Sequence, residues 1–231
     1  KLDFGGFNIS NSFHLENYLF NTEFKLQLRR SLGLPSDQKD VIFCNFNQAD
    51  RIDPKSFTIW MSILRRVPNS YLWLLLDSRR SNTHEIFATN SDFSHKFATA
   101  KKSIQLAAKN HGVTPERIFF APRVSKAFHI LRQSAADIFL DTLVCGAHST
   151  ATDALKGGLP VLTVNGESFS NRVSLSLYSS FSVEKENNLV SNPDIVFPLN
   201  LLLVDSVKEF EETAVKLVSD KRYLYKIREV L

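Results

Sequence analysis

Five short apolar blocks without polar alternation, each followed by a helical pattern, constrain this chain more than any other feature. The blocks cover residues 41–45, 71–77, 117–121, 137–141 and 160–164. A strand with one wet face alternates apolar and polar residues, whereas a strand covered on both faces does not. Between the blocks, apolar periodicity predicts helices over 54–66 with Pro54 in the first turn, 94–110 closed by Gly112, 126–135, 150–156 and 168–180. Strands alternating with helices form βαβ units, so the expected fold class is α/β, a doubly wound, mainly parallel sheet. Residues 12–32 read as one amphipathic helix ended by Gly33 and Pro35, and 206–231 reads as helical. Two stretches break the rhythm: 78–93, a polar loop or partly helical insertion, and 184–203, expected to wrap the sheet edge.

Composition narrows the function classes. With 231 residues, 43% hydrophobic and 23% charged, the chain has room for one large α/β domain and is neither disordered nor fibrous. A net charge of +4 fits a local anion site better than a nucleic-acid-binding face, so no nucleic acid is expected as partner. Cys44 and Cys145 are too few for a disulfide framework and point to a reducing compartment or buried thiols. No apolar run approaches the roughly 20 residues of a membrane span, no signal-peptide pattern opens the chain, and no membrane partner is expected. The start at Lys1, without Met, suggests a fragment of something longer.

In an open α/β sheet, ligands bind beyond the carboxyl ends of the strands. The first block is followed by Asn45-Phe46-Asn47-Gln48 and Arg51, and the third by Pro122-Arg123-Val124-Ser125-Lys126. After the fourth come Asp141-Thr142 and the loop Cys145-Gly146-Ala147-His148-Ser149-Thr150, and after the fifth Asn165-Gly166-Glu167. Amides, hydroxyls, bases and imidazoles on one edge compose an anion-binding surface. In the helix over 126–135, Lys126, His129 and Arg132 share a polar stripe away from the core, with Ser125 as N-cap. A solvated helix face has the same pattern. The loop 146–150 opens a helix whose first N–H groups and dipole favour phosphate. Asp153 fits a T-x-x-D capping pattern from Thr150 as well as a ligand role, and His148 alone reads as readily as a surface histidine.

Sharper chemistries are missing. The chain has no G-x-G-x-x-G, no P-loop, no C-x-x-C, no nucleophile elbow and no D-x-D, and His84, His95 and His111 lack the spacing of metal ligands. Cys44 reads as a core thiol, while Cys145 is open between packing and function.

Several motifs in register carry a resemblance. Asn45-Phe46-Asn47-Gln48, Arg51-Ile52-Asp53-Pro54, Arg66-Val67-Pro68-Asn69-Ser70 and Leu72-Trp73-Leu74-Leu75 follow in order. Leu140-Asp141-Thr142, Gly146-x-His148-Ser149-Thr150-x-x-Asp153 and Pro160-x-x-Thr163-x-x-Gly166-Glu167 continue the series. Together they resemble the catalytic region of the protein O-linked N-acetylglucosamine transferases, from about Gly33 to the C-terminus. The resemblance implies a GT-B enzyme of which this chain is the Rossmann-like C-terminal lobe. Residues 33–231 would form the nucleotide-sugar-binding lobe, with 1–32 a helical segment or linker.

The resemblance also implies roles. Gln48 and Arg51 would contact the diphosphate of UDP-GlcNAc, Arg51 standing where the family has Lys. Val124 would offer backbone groups to uracil, His129 would stack on it and Arg132 would bond its edge, while Lys126 and Asp153 hold the ribose. His148, Ser149 and Thr150 would present hydroxyls and N–H groups to the pyrophosphate. The candidates for catalysis are Gln48, Arg51 and Thr150, in a metal-independent inverting transfer to Ser or Thr of intracellular proteins, with no cofactor beyond the donor. Acceptor contacts would lie in an N-terminal lobe and a tetratricopeptide superhelix outside this chain, which alone would be inactive, and the setting would be cytoplasmic or nuclear. The competing readings are the lobe of a GDP-fucose-dependent protein O-fucosyltransferase, disfavoured by the Asn-Phe-Asn-Gln run and the His148 loop, and a non-catalytic binding or interaction module.

Overall fold

A computed structural model describes residues 3–4, 7–8, 21–76, 90–187 and 201–230. Asp3–Phe4 (β1) and Phe7–Asn8 (β2) pair antiparallel. The main sheet consists of Val41–Asn45 (β3), Ser70–Leu75 (β4), Ile118–Ala121 (β5), Ile138–Leu140 (β6), Val161–Val164 (β7) and Leu203–Val204 (β8). Its order is β5-β4-β3-β6-β7-β8 and every pairing is parallel. The chain winds outward from β3 to β5, returns to lay β6 beside β3, and winds the other way to β8. That reversal is the topological switch point of a doubly wound sheet, where ligands bind.

The helices are Thr22–Ser31 (α1), Pro54–Arg66 (α2), Asn90–Asn110 (α3), Lys126–Gln133 (α4), Ser149–Lys156 (α5), Phe169–Asn187 (α6), Val207–Ser219 (α7) and Lys221–Val230 (α8). All five residues of β3 are buried, as an unalternating block requires. Helix α2 starts where Pro54 and the Asp53 cap dictate, with Asp53 Oδ1 accepting from the Ser56 N–H at 2.9 Å. Ile59, Trp60, Ile63 and Leu64 of α2 join a core that also takes Phe43, Leu72, Phe139, Leu162 and Phe210.

Three differences from the sequence reading have local causes. The helix expected over 12–32 starts at Thr22 among the described residues, capped by the Asn21 side chain on the Phe24 N–H, and ends at Gly33 in the left-handed region (φ 67°). Residues 9–20 lie outside the described part, as do 77–89 and 188–200 of the two irregular stretches. The tail is two helices, because Asp220 is extended and its carboxylate accepts from the Arg222 N–H, restarting the helix. Strand β8 was not foreseen: two residues hold too short a pattern to read.

Candidate active site at the strand carboxyl ends

The site is built where β3 and β6 lie side by side. Asn45 ends β3 and donates through Nδ2 to the Leu140 carbonyl at 2.8 Å, while its Oδ1 accepts from the Asn47 N–H at 3.0 Å. Asn47 Nδ2 then donates to Thr142 Oγ1 at 3.0 Å, and that hydroxyl donates to the Cys145 carbonyl at 2.6 Å. The two loops are thus tied before they diverge. Ser56 adds a third link, accepting from the Leu143 N–H at 2.8 Å while its hydroxyl donates to Asp53.

Asp141 clamps the loop that follows β6. It is 1% exposed, and Oδ1 accepts from the N–H groups of Thr142 and Ala147, both at 2.8 Å. Oδ2 accepts from Thr163 Oγ1 at 3.0 Å and Ser174 Oγ at 3.2 Å. Burial pushes the carboxyl above its ordinary value, against the pull of those donors. Gly146 lets this loop approach α6 closely, since a Cβ would press at 3.0 Å on the Ser170 carbonyl and at 3.3 Å on Asp141 Oδ2.

This clamped loop delivers the chain to α5. His148 stands at the N-cap without a side-chain bond to the helix, its Nε2 3.1 Å from the Ser170 carbonyl. The capping reading of Thr150 and Asp153 is therefore corrected. The helix begins one residue earlier, and both Asp153 oxygens are taken by Lys126 Nζ at 2.5 Å. The first-turn N–H groups of a helix have no intrahelical acceptor, so α5 presents the positive end of its dipole at this mouth. Across it, Arg51 Nη1 donates to the Gly146 carbonyl at 3.4 Å. Gln48, half-buried, heads the short turn Ala49–Arg51 that carries Arg51.

A second cluster forms on α4. The three basic positions do not share a solvated stripe: Lys126 is exposed, but Arg132 is 1% exposed. Its guanidinium lies 4.8 Å from the Phe46 ring centroid, Nη1 donates to the Pro122 carbonyl at 2.6 Å, and Nη2 donates to His129 Nδ1 at 2.9 Å. Stacking on an aromatic face makes a buried cation tolerable, a partner that helical periodicity does not reveal. Burial pulls Arg132 down to about 10, so it stays charged at neutral pH. His129 is pulled down to about 4, first by burial and then by the Arg132 charge. Neutral His129 accepting at Nδ1 carries its proton on Nε2, 3.8 Å from Asp153 Oδ2. Its ring lies 5.5 Å from that of Phe46, which in turn stands edge-on to Trp73 at 4.9 Å. Ser125 occupies the N-cap position of α4 but makes no side-chain bond to it. Val124, half-buried, lies in the loop just before. Gly157 lets α5 close on α4, since a Cβ there would lie 2.6 Å from the Ile130 carbonyl.

Lys126, His129, Arg132 and Asp153 therefore form one group, and Arg51, His148 and the start of α5 another. Phe46 and Asp141 organise them, although sequence reading gave neither a role. The signal for Phe46 was a lone aromatic between two asparagines just beyond a strand. Among the described residues no group of three or more His, Cys, Asp or Glu could hold a metal ion. None of their helices is long and apolar enough to cross a membrane.

The model of glycosyl transferase family 41 matches residues 19–231. The chain belongs to glycosyl transferase family 41. It is 33% identical over 194 residues to a probable UDP-N-acetylglucosamine–peptide N-acetylglucosaminyltransferase of Arabidopsis thaliana, covering 84% of this chain and 16% of that protein. An O-GlcNAc transferase mutant of Thermobaculum terrenum superposes with a TM-score of 0.66 at 21% identity, over 85% of this chain and 32% of that one. The C-terminal domain of a group 1 glycosyl transferase from Francisella tularensis superposes with a TM-score of 0.55 at 16% identity, over 92% of this chain and 91% of that one. The fold of this family 41 chain is that of one lobe of a GT-B glycosyltransferase, with the site at the carboxyl edge of its sheet.

Proposed function

We propose that this chain is the donor-binding lobe of a protein N-acetylglucosaminyltransferase, holding the UDP portion of UDP-GlcNAc at the β3–β6 switch point. The observation that carries this reading is the convergence of Arg51 and the amino end of α5 on the Gly146 loop, two positive elements at one mouth. Gln48, Arg51 and the N–H groups of Ser149 and Thr150 would receive the diphosphate, with His148 beside them. When the sugar–phosphate bond breaks, negative charge accumulates on the leaving UDP. A fixed cation and a helix terminus stabilise it without reorganising, and removing one such contact typically costs on the order of 10²–10³ in rate.

The α4 cluster supplies the nucleoside side. Neutral His129 would stack on uracil, Val124 would offer its backbone to the base edge, and Lys126 with Asp153 would hold the ribose. Arg132, buried beneath, would hold the His129 ring and lend its charge to the base. The acceptor would be a Ser or Thr of a cytoplasmic or nuclear protein, presented by a second lobe and by helical repeats outside this chain. These 231 residues then bind donor without transferring sugar. Isothermal titration of the chain with UDP, uridine and GDP tests the reading. UDP binding more tightly than both others is the expected result. Equal affinity for UDP and uridine removes the diphosphate site, and tighter GDP overturns the choice of donor.

A further inference from the structure

The amino ends of the same strands carry a different feature. A cavity of about 370 Å³ lies there among α1, α8 and the starts of β3 and β6. Lys25 and Arg29 of α1 and Arg228 of α8 line it, together with Asp40 and Asp137. Arg29 and Arg228 are 2% and 8% exposed, so water screens neither charge well. Asp137 is already fully engaged: it accepts from Lys25 Nζ at 2.5 Å, Arg29 Nη2 at 2.6 Å and the Ile42 N–H at 2.7 Å. Among the described residues Arg228 Nη2 donates only to main-chain carbonyls, Ala136 at 2.5 Å and Asp137 at 3.5 Å. The Asp40 carboxylate accepts from the Asp37 N–H, and Arg29 Nη1 donates to the Asp40 carbonyl.

Three cations thus face two carboxylates, and the positive end of α1, capped by Asn21, opens on the same space. Burial, and then the charge of Arg228, draw the Lys25 ammonium well below its usual value, against the pull of Asp137. A concave, polar, positively lined cavity of this volume suits a small oxyanion.

We infer that this cavity is a second anion site, taking a phosphate or carboxylate group between Lys25, Arg228 and the amino end of α1. It lies at the opposite end of β6 from the donor loop, about 13 Å away along the strand. It does not depend on the donor reading.

The test is calorimetric titration of the chain with inorganic phosphate and, separately, acetate at constant ionic strength, with UDP present to fill the donor edge. The variant is Thr22→Asp. Thr22 is exposed at the first position of α1, where an acid favours the helix, so the fold is retained. Binding of either anion, weakened at least about tenfold by the new carboxylate at the mouth, is the expected result. Arg228→Gln should weaken it likewise. No binding of either anion, or binding unchanged by Thr22→Asp, overturns the inference. If UDP itself fails to bind, the donor reading falls, while the comparison of Thr22→Asp with the parent chain still decides this one.

Discussion

The Arg51 guanidinium donates to the Gly146 carbonyl at 3.4 Å, joining the loop after β3 to the loop after β6 across the switch point of the sheet. Arg51 is half-buried, so it can leave this long bond for a stronger acceptor at little cost. Arg51→Ala should weaken UDP by about tenfold or more, the worth of one charged hydrogen bond, and leave uridine affinity unchanged. Arg51→Lys keeps the charge but not the fork, and should restore most of the affinity. Titration calorimetry on the three proteins measures this, and equal losses for UDP and uridine would place Arg51 away from the phosphates.

Lys126 grips both oxygens of Asp153, yet the Lys126 side chain is 66% exposed. Water discounts such a pair, so Asp153→Asn should cost no more than about 1 kcal/mol of stability. The same change removes the negative charge and one of the two acceptor oxygens facing the proposed ribose. Its uridine affinity should fall several-fold while the urea midpoint hardly moves, which separates a ligand role from a structural one.

His129 gives the site a pH signature. Its folded value of about 4 lies below the ordinary 6.5, so between these limits the unfolded chain binds the extra proton and stability rises with pH. The contribution is complete above about pH 6.5 and is lost toward pH 4, amounting to about 3 kcal/mol. Urea denaturation from pH 4 to 7 should show this slope. His129→Gln, which keeps a polar group beside Arg132, should flatten it.

What the sequence disclosed and what it hid follow physical lines. Strand β3 and helix α2 were legible to the residue because burial on both faces, Pro54 and the Asp53 cap are each written locally. The place of the 146–150 loop at the carboxyl edge of the sheet was legible because the order of strands and helices sets where each connecting loop falls. Arg132 was not, because periodicity assigns a charged residue to the wet face and the Phe46 ring that accepts it comes from a different element. The cationic cavity was hidden for the same reason: Lys25 and Arg29 are far in sequence from Asp137 and Arg228, and the fold alone brings them together.

Asp141 holds the whole loop, and two substitutions there should behave very differently. Asp141→Ala leaves two buried N–H groups without acceptors, each costing about 1–3 kcal/mol, and frees the hydroxyls of Thr163 and Ser174. The loop then loses the geometry that aims α5, so UDP affinity should fall with stability. Asp141→Asn keeps an oxygen for the Thr142 and Ala147 N–H groups, while the two hydroxyls can turn and accept from the new amide. Because burial already raises the carboxyl above its ordinary value, the neutral form is not foreign to this position. Asp141→Asn should therefore retain stability within about 1 kcal/mol and bind UDP nearly as well. Urea denaturation paired with UDP titration reads both, and an asparagine variant as damaged as the alanine one would show that the negative charge, rather than its hydrogen bonds, holds the loop.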